Sequence, residues 1–578
     1  MEPTNTEIAA ALDELGDLYE LDGAIVHRVV AYRSAAKAVR DAPVSVTALA
    51  RVGKATELPG IGRTIQEKVL ALADQGEIPA ALKLRAKFPP GLVEMTRLPG
   101  LGPKRARRLF EELGIDSLDA LRAAAEEHKI RELKGFGPRA EETLLARVNA
   151  AGAGSAHERV VLDRALAIGE RLVAALRAHP AADRVELAGS ARRMTDSVKD
   201  LDVIATAHDP GALARALVEH ELVESAGTAG EAGVRARTHT GVQVDLRIVA
   251  PNQFGNLLQH FTGSGPHNAA LREAAVRRGL HVSEYGVLED ATGVTHIYAT
   301  EQEVYELLGL SYIEPELREN RGELAAAGSG QLPELIELDD IRGDLHCHTT
   351  ASDGKNSIEE MALAARERGY EYLAITDHSA SHGFGDDVSP EQLRRQIELV
   401  GEANADVEGI ELLAGSEVNV LPDGSLDYED ELLAELDWVI ASVHTSFGMG
   451  EQAMTERMIT AIEHPLVKAI GHPTGRLIGR REPYAIDLDA VFAAAARTGT
   501  MLEINANPDR RDLSDINARG AAQAGVRILI DSDAHRTDTL QNMRWGVATA
   551  RRAWLGAADV ANTRPWRELA KLGKQTPR

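Results

Sequence analysis

The chain has 578 residues and a mass of 62.2 kDa, too much for one hydrophobic core, so several domains are expected and a small stapled fold is excluded. Its 44% hydrophobic and 26% charged residues are those of ordinary globular proteins rather than disordered ones. The single cysteine, Cys347, rules out an internal disulfide. With no basic-then-apolar leader and no 18-residue apolar run in the sequence, a cytoplasmic protein without membrane association is expected.

The net charge of −25 argues against nucleic acid only until its distribution is read. Residues 1–150 hold 22 Lys and Arg against 22 Asp and Glu, residues 151–335 hold 17 against 26, and residues 336–578 hold 25 against 41. The neutral first part can still present basic clusters such as Lys104-Arg105-Arg107-Arg108, and clustered carboxylates downstream suit divalent cations.

From the N-terminus to residue 150, Leu, Ile, Val and Ala recur every three or four positions between glycine turns, which predicts an all-helical region. Three related turns punctuate it: Leu58-Pro59-Gly60-Ile61-Gly62, Leu98-Pro99-Gly100-Leu101-Gly102 and the weaker Leu133-Lys134-Gly135-Phe136-Gly137. Paired glycines ahead of a helix expose backbone N–H groups to an anion, and a nucleic-acid phosphate fits that role without base specificity. These turns resemble helix-hairpin-helix motifs. After the AGAGS break at 151–155, runs such as RVELAG, DLDVIA and VQVDLRIV predict short strands among helices. Further breaks at 325–330 (AAAGSG) and 342–344 mark expected joints. Beyond them, seven strand-like runs ending in polar residues alternate with helical patterns, predicting a closed or nearly closed β/α barrel.

Two constellations carry chemistry. In the first, Asp200 and Asp202 are two apart in a predicted strand and so share a face, and Asp245 lies in another strand-like run. Three oxygen ligands with open positions suit Mg²⁺ or Mn²⁺ and substrate phosphates. Upstream, Gly189-Ser190 closes a strand and Arg192-Arg193 follow it. This pattern resembles the family X DNA polymerases, with the likeness running from AYRSAAKAV (31–39) and LPGIGRTIQEKV (58–69) through LAGSARRMTDSVKDLDVIA to FTGSGPHNAALREAAVRRGL (261–280). The resemblance implies two metal ions on Asp200, Asp202 and Asp245, with Asp245 the general base on the primer 3′-hydroxyl. It implies that Gly189, Ser190 and Arg193 hold the triphosphate of a deoxynucleoside triphosphate, and that Phe261, Gly263, Asn268 and Arg272 pack against its sugar and the templating pair. His260 stands where eukaryotic members have tyrosine. Lys68 matches the Schiff-base lysine of a 5′-deoxyribose phosphate lyase, and His27, Arg28 and Tyr32 match phosphate-side positions, whereas Glu57 and Thr64 replace expected cations.

In the second constellation, His346, His348, Asp353, His378, Glu417, His444, His472, Asp533 and His535 fall almost all at ends of predicted strands. In a β/α barrel such ends converge on one mouth. Nine nitrogen and oxygen ligands can hold two or three Mn²⁺, Zn²⁺ or Fe²⁺ ions, while Cys347, between two of them, should point away. Arg476, Arg480 and Arg481 could receive substrate phosphates. The order HCH, SDG, TDH, GSE, VH, GHP, SDAH resembles the PHP (polymerase and histidinol phosphatase) domain, a distorted seven-stranded barrel, over roughly residues 341–550.

Together the resemblances imply a helical lyase-like DNA-binding domain at 1–90, a helical fingers-like domain at 91–152 and a nucleotidyltransferase palm at 153–253. A nucleotide-selection subdomain at 254–318, a linker at 319–340 and a PHP phosphoesterase domain at 341–578 complete the expected order. The function implied is gap filling on gapped or primed DNA by a monomeric polymerase, joined to a metal-dependent 3′ to 5′ exonuclease that could also cleave abasic sites or remove 3′-phosphates. The competing readings are an attached small-molecule phosphatase of histidinol-phosphate type and a non-catalytic DNA-binding scaffold.

Overall fold

The structure is a computed structural model that describes residues 2–96, 98, 101–151, 159–383, 385 and 387–572. Pro99 and Gly100 of the second glycine turn, and most of the AGAGS break, lie outside them. The chain divides into two compact units, residues 1–160, 167–187 and 199–250 in one and residues 161–166, 188–198 and 251–578 in the other.

The first unit opens with helices from Asn5–Leu21 to Pro138–Ala151. Thr4 starts the first with a reciprocal capping box to Glu7, satisfying donors that the first turn leaves unpaired. The apolar stripes read from the sequence meet in one core containing Ile8, Leu12, Leu15, Val39, Leu92, Leu109 and Leu121. At the first glycine turn Gly60 has φ +85°, a conformation costly for other residues, and Gly62 is the N-cap of the helix Arg63–Gln75. The basic cluster is partly committed to its own fold: Arg105 and Arg108 donate to the carbonyls of Gly135 and Lys134 in the third turn, and Arg107 donates to Leu21 O.

A five-stranded sheet completes this unit: β1 (Ala182–Leu187), β2 (Asp200–Ala207), β3 (Val223–Ala226), β4 (Gly233–Thr238) and β5 (Gln243–Ile248). The spatial order is β1-β2-β5-β4-β3, with β2 and β5 parallel and the other pairs antiparallel. Along β5 side chains alternate, Val244, Leu246 and Ile248 buried and Asp245 and Arg247 partly exposed, as period two demands.

In the second unit, helices Phe254–Thr262 and Gly265–Val276 precede a three-stranded antiparallel sheet made by Leu280–Ser283, Gly286–Glu289 and Thr295–His296. The run AAAGSG, expected as a joint, ends a helix, Glu323–Ser329, that Gly330 closes in the left-handed conformation. Three consecutive alanines favour helix more strongly than the composition suggested.

Seven parallel strands then follow in sequential order: β6 (Gly343–Cys347), β7 (Tyr372–Ile375), β8 (Glu411–Asn419), β9 (Trp438–Ser442), β10 (Ala469–Ile470), β11 (Met501–Asn505) and β12 (Ile528–Asp531). All seven coincide with the predicted strand-like runs. Between β6 and the β12 edge, side chains add to a backbone bridge at Cys347 and Ala534: Asp531 accepts from Leu345 N, Asp344 accepts from Ser532 N, and Asn562 donates to the carbonyls of both Gly343 and Ile530. Leu345, Tyr372, Trp438, Met501 and Leu529 fill the barrel interior together with Ala561 and Leu569 from the C-terminal segment. Cys347 is buried in the outer apolar layer, its thiol donating to Ala374 O.

Candidate active sites

The nine predicted barrel residues meet at the C-terminal ends of the strands. Glu417, on β8, lies at the centre, with His378 Nδ1 at 2.8 Å, His472 Nε2 at 2.9 Å, His444 Nε2 at 3.1 Å, His346 Nε2 at 3.5 Å and His348 Nε2 at 3.7 Å from its oxygens. Asp533 reaches His348 at 3.3 Å, and Asp353 reaches His535 at 3.2 Å and His378 at 3.7 Å. Three overlapping groups have ligand atoms within 4.8 Å of one another: His348-Asp353-His378-His535, His346-His348-Asp533 and His378-Glu417-His444. Gly354 permits this closeness, since a Cβ there would stand 2.6 Å from the His348 carbonyl.

Electrostatics make the cluster cation-seeking. Burial opposes ionisation of Glu417, yet His444, His346 and His378 hold its carboxyl well below the usual range. Asp533 is likewise buried and likewise held down, by His346, His348 and His535. Burial, followed by the neighbouring rings of His535 and His378, takes His348 down to about 4. Burial and then Arg510 take His472 down to about 3. Buried ring nitrogens with no hydrogen bond, including His346 Nε2, both nitrogens of His348 and His472 Nδ1, fit divalent cations, because an unpaired buried polar atom is otherwise costly.

Several residues the sequence reading did not single out support this centre. Glu503 on β11 lies 2.7 Å from His346 Nδ1 and accepts from His472 N, and Asn505 donates to Asp533. Asp377 accepts from Thr349, Ser352 and Gln396 and so ties the β6 and β7 loops together. Such partners fix ring orientation in metal sites. Their available signal was a charged residue inside an apolar strand or beside a ligand. The expected phosphate arginines are mostly engaged elsewhere: Arg476 donates to Asp196, Arg481 donates to Gly475 O and covers the Phe447 ring, and Arg480 pairs with Asp509 at 3.4 Å. Arg510 instead approaches the cluster, 3.8 Å from Asp533.

In the first unit, parallel pairing of β2 with β5 sets Asp202 directly opposite Asp245, with Asp200 two residues earlier, so the three acids share one face. Asp245 is held by Arg235 at 3.3 Å and by two donors of Arg247 at 3.1 Å. Asp200 and Asp245 line a cavity of 470 Å³ with Ser225, Arg235, Arg237 and Gln243. Lys68 is half-buried on the helix Arg63–Gln75, and Tyr32 is buried and stacked on Tyr19.

In the second unit, Gly189 and Ser190 open a short turn, Gly189–Arg192, with Gly189 at φ +64°. Arg193 donates to Thr262 O and to Glu319, beside Gly263. His260 sits amid the remaining predicted residues: its ring is 5.4 Å from that of Phe261, its carbonyl accepts from Asn268, and its Nδ1 lies 3.2 Å from Arg272.

Helix-hairpin-helix families match residues 3–78 and, as a SAM-like helix-hairpin-helix tandem, 92–149. The DNA polymerase beta thumb family matches residues 257–319, and the PHP domain matches 344–507. A relative from Bacillus subtilis (strain 168), named DNA polymerase/3′-5′ exonuclease PolX, is 38% identical over 571 residues, 98% of this chain and 99% of its own. The chain belongs to the PolX family. Other relatives match a smaller part of the chain. A "probable phosphatase" from Caldanaerobacter subterraneus subsp. tengcongensis is 34% identical over 203 residues, 33% of this chain and 75% of its own. Another from Syntrophotalea carbinolica is 30% identical over 248 residues, 40% and 96%.

Proposed function

We propose that the chain is a DNA polymerase that extends primers into short gaps, joined to a metal-dependent 3′ to 5′ exonuclease housed in the barrel. The observation that carries this is similarity along 98% of the chain to a relative named for both activities, together with the converged nine-residue cluster. The matches to "probable phosphatases" favour phosphoester hydrolysis as one of the chain's activities. A free-standing phosphatase merely attached would not account for the relative that spans both units.

On this reading Asp200, Asp202 and Asp245 hold Mg²⁺ or Mn²⁺, and Arg247 and Arg235 orient Asp245 toward the primer 3′-hydroxyl. Gly189, Ser190 and Arg193 bind the triphosphate, while Phe261, Gly263, Asn268 and Arg272 shape the pocket for sugar and base. In the barrel, His346, His348, Asp353, His378, Glu417, His444, His472, Asp533 and His535 hold two or three Mn²⁺, Zn²⁺ or Fe²⁺ ions, and Arg510 meets the substrate phosphate. Divalent ions at either site supply Lewis acidity toward phosphate oxygens and the attacking oxygen. Backbone amides of the glycine turns grip DNA phosphates, a contact indifferent to net charge. Lys68 is the candidate amine for 5′-deoxyribose phosphate removal, which needs its uncharged form. Abasic-site cleavage and 3′-phosphate removal belong to the same barrel chemistry. The six segments read from the sequence, the monomeric state and the cytoplasmic location complete this reading. No helix among the described residues is long and apolar enough to cross a membrane.

The test is a labelled primer on gapped DNA with Mn²⁺. Growth with deoxynucleotides and shortening without them are the expected results, and a primer unchanged under both conditions contradicts the reading.

A further inference from the structure

The segment that follows the Gly189–Arg192 turn is held by the barrel unit at four consecutive residues. Arg552 donates to the carbonyl of Arg193 at 2.7 Å. Arg511 donates to Met194 O and Thr195 O, both at 3.0 Å. Arg476 donates to the Asp196 carboxylate at 2.8 Å. Arg511 is only 1% exposed, and its Nε donates to Thr549 Oγ1 at 2.8 Å. Arg552 is anchored in turn by Asp515 and Glu319. Buried guanidinium groups fixed at both ends form rigid forks.

This segment needs such support. Met194 has φ +55°, a conformation that costs a residue with a side chain roughly 1 kcal/mol or more and persists where surroundings over-determine it. The strain is one bond from the nucleotide turn: Thr195 N donates to Ser190 O at 3.2 Å, and Thr195 Oγ1, whose one proton serves two carbonyls, lies 3.1 Å from Ser190 O and 2.9 Å from Ser197 O. A continuous path therefore runs from Arg511 through Thr195 to Ser190.

We propose that Arg511 and Arg552 of the barrel are positioning residues for the polymerase's nucleoside triphosphate site, acting through the 193–195 carbonyls and Thr195 on the backbone of Ser190. The barrel is then a structural part of nucleotide binding as well as a second catalytic centre. This rests on the assignment of Ser190 to the triphosphate.

The experiment measures single-nucleotide gap filling by the full chain as a function of deoxynucleotide concentration, for Arg511→Met, Thr195→Val, their double variant and Ser190→Ala, with exonuclease rate as the internal control. Arg511→Met and Thr195→Val should each raise the deoxynucleotide KM about tenfold, the order expected for losing one buried hydrogen-bond link, with the exonuclease rate retained. The double variant should exceed neither by a full further factor, since both break one path. Misfolding would lower kcat through loss of active molecules and leave KM unchanged. Thr195→Val, which lies outside the barrel, decides the matter should Arg511→Met fold poorly: an unchanged KM for it overturns the proposal. An unchanged KM for Ser190→Ala overturns instead the triphosphate assignment beneath it. A raised KM for Ser190→Ala with wild-type KM for the other variants overturns the positioning role alone.

Discussion

Glu417 contacts five histidines, and the arrangement explains why a carboxylate rather than another imidazole stands there. A buried acid surrounded by rings gathers cations toward one point, and its own ionisation is secured by them. Arg510 is the complementary residue, a guanidinium beside Asp533 and close enough to His472 to lower its basicity. Its planar fork suits a phosphate better than a lysine would. Replacing Arg510 by Met should lower the exonuclease rate about 10- to 100-fold with primer extension unaltered, measured on a 5′-labelled strand. An equal loss of both activities would show that Arg510 serves the fold instead. The arginines chosen from sequence, Arg476, Arg480 and Arg481, have protein partners, Arg511 O, Asp509 and Gly475 O among them, since proximity to His472 in the chain does not fix direction.

At the scale of elements, a buried ion triad joins the Gly189–Arg192 turn to the helix Glu301–Leu307 and to Arg318. Glu301 accepts from Arg192 and Arg318, both at 2.6 Å. Burial raises its pKa, but Arg318 and then Arg192 outweigh that and take it down to about 2. The sign follows from linkage: a carboxyl bound more weakly by protons when folded stabilises the fold above its unfolded pKa and loses that contribution as pH falls from about 4.5 toward 2, about 3 kcal/mol in all at 1.36 kcal/mol per unit. The stability difference between wild type and Glu301→Gln in urea unfolding should therefore shrink between pH 5 and pH 3. A difference independent of pH would contradict the assignment. Six of the seven barrel strands were legible because the apolar run ends in a candidate ligand residue, and the seventh, Met501–Asn505, from its apolar run alone. Val223–Ala226 was not, since Glu, Ser and Ala carry little strand propensity and its pairing with β4 alone makes it a strand. Asn562 was equally invisible: a lone asparagine becomes a surrogate strand only once Gly343 and Ile530 are brought to either side of it.

In the whole molecule the distribution of charge becomes intelligible. Many downstream acids are buried in the candidate metal cluster or paired with arginines, including Glu417, Glu503, Asp533, Asp515 and Glu319, so part of the net charge of −25 lies inside the fold or within ion pairs. The candidate acids of the polymerase site and the histidines of the barrel lie in different compact units, and each could be read from residue spacing because metal chemistry restricts ligand types. What spacing could not show was that residues 188–198, adjacent in sequence to the Asp200–Asp202 strand, group with the barrel, because that depends on arginines 280 or more positions away.

The central claim is that one set of side chains builds phosphodiester bonds and a separate set breaks them. It is tested most directly by following a 5′-labelled primer on gapped DNA with Mn²⁺ for Asp245→Ala and for His348→Ala beside wild type. Asp245→Ala should lose extension by roughly 10³-fold or more and still shorten the primer, and His348→Ala should do the converse, as expected when groups that hold essential ions are removed. Loss of both activities in either variant, with the protein folded, would contradict it.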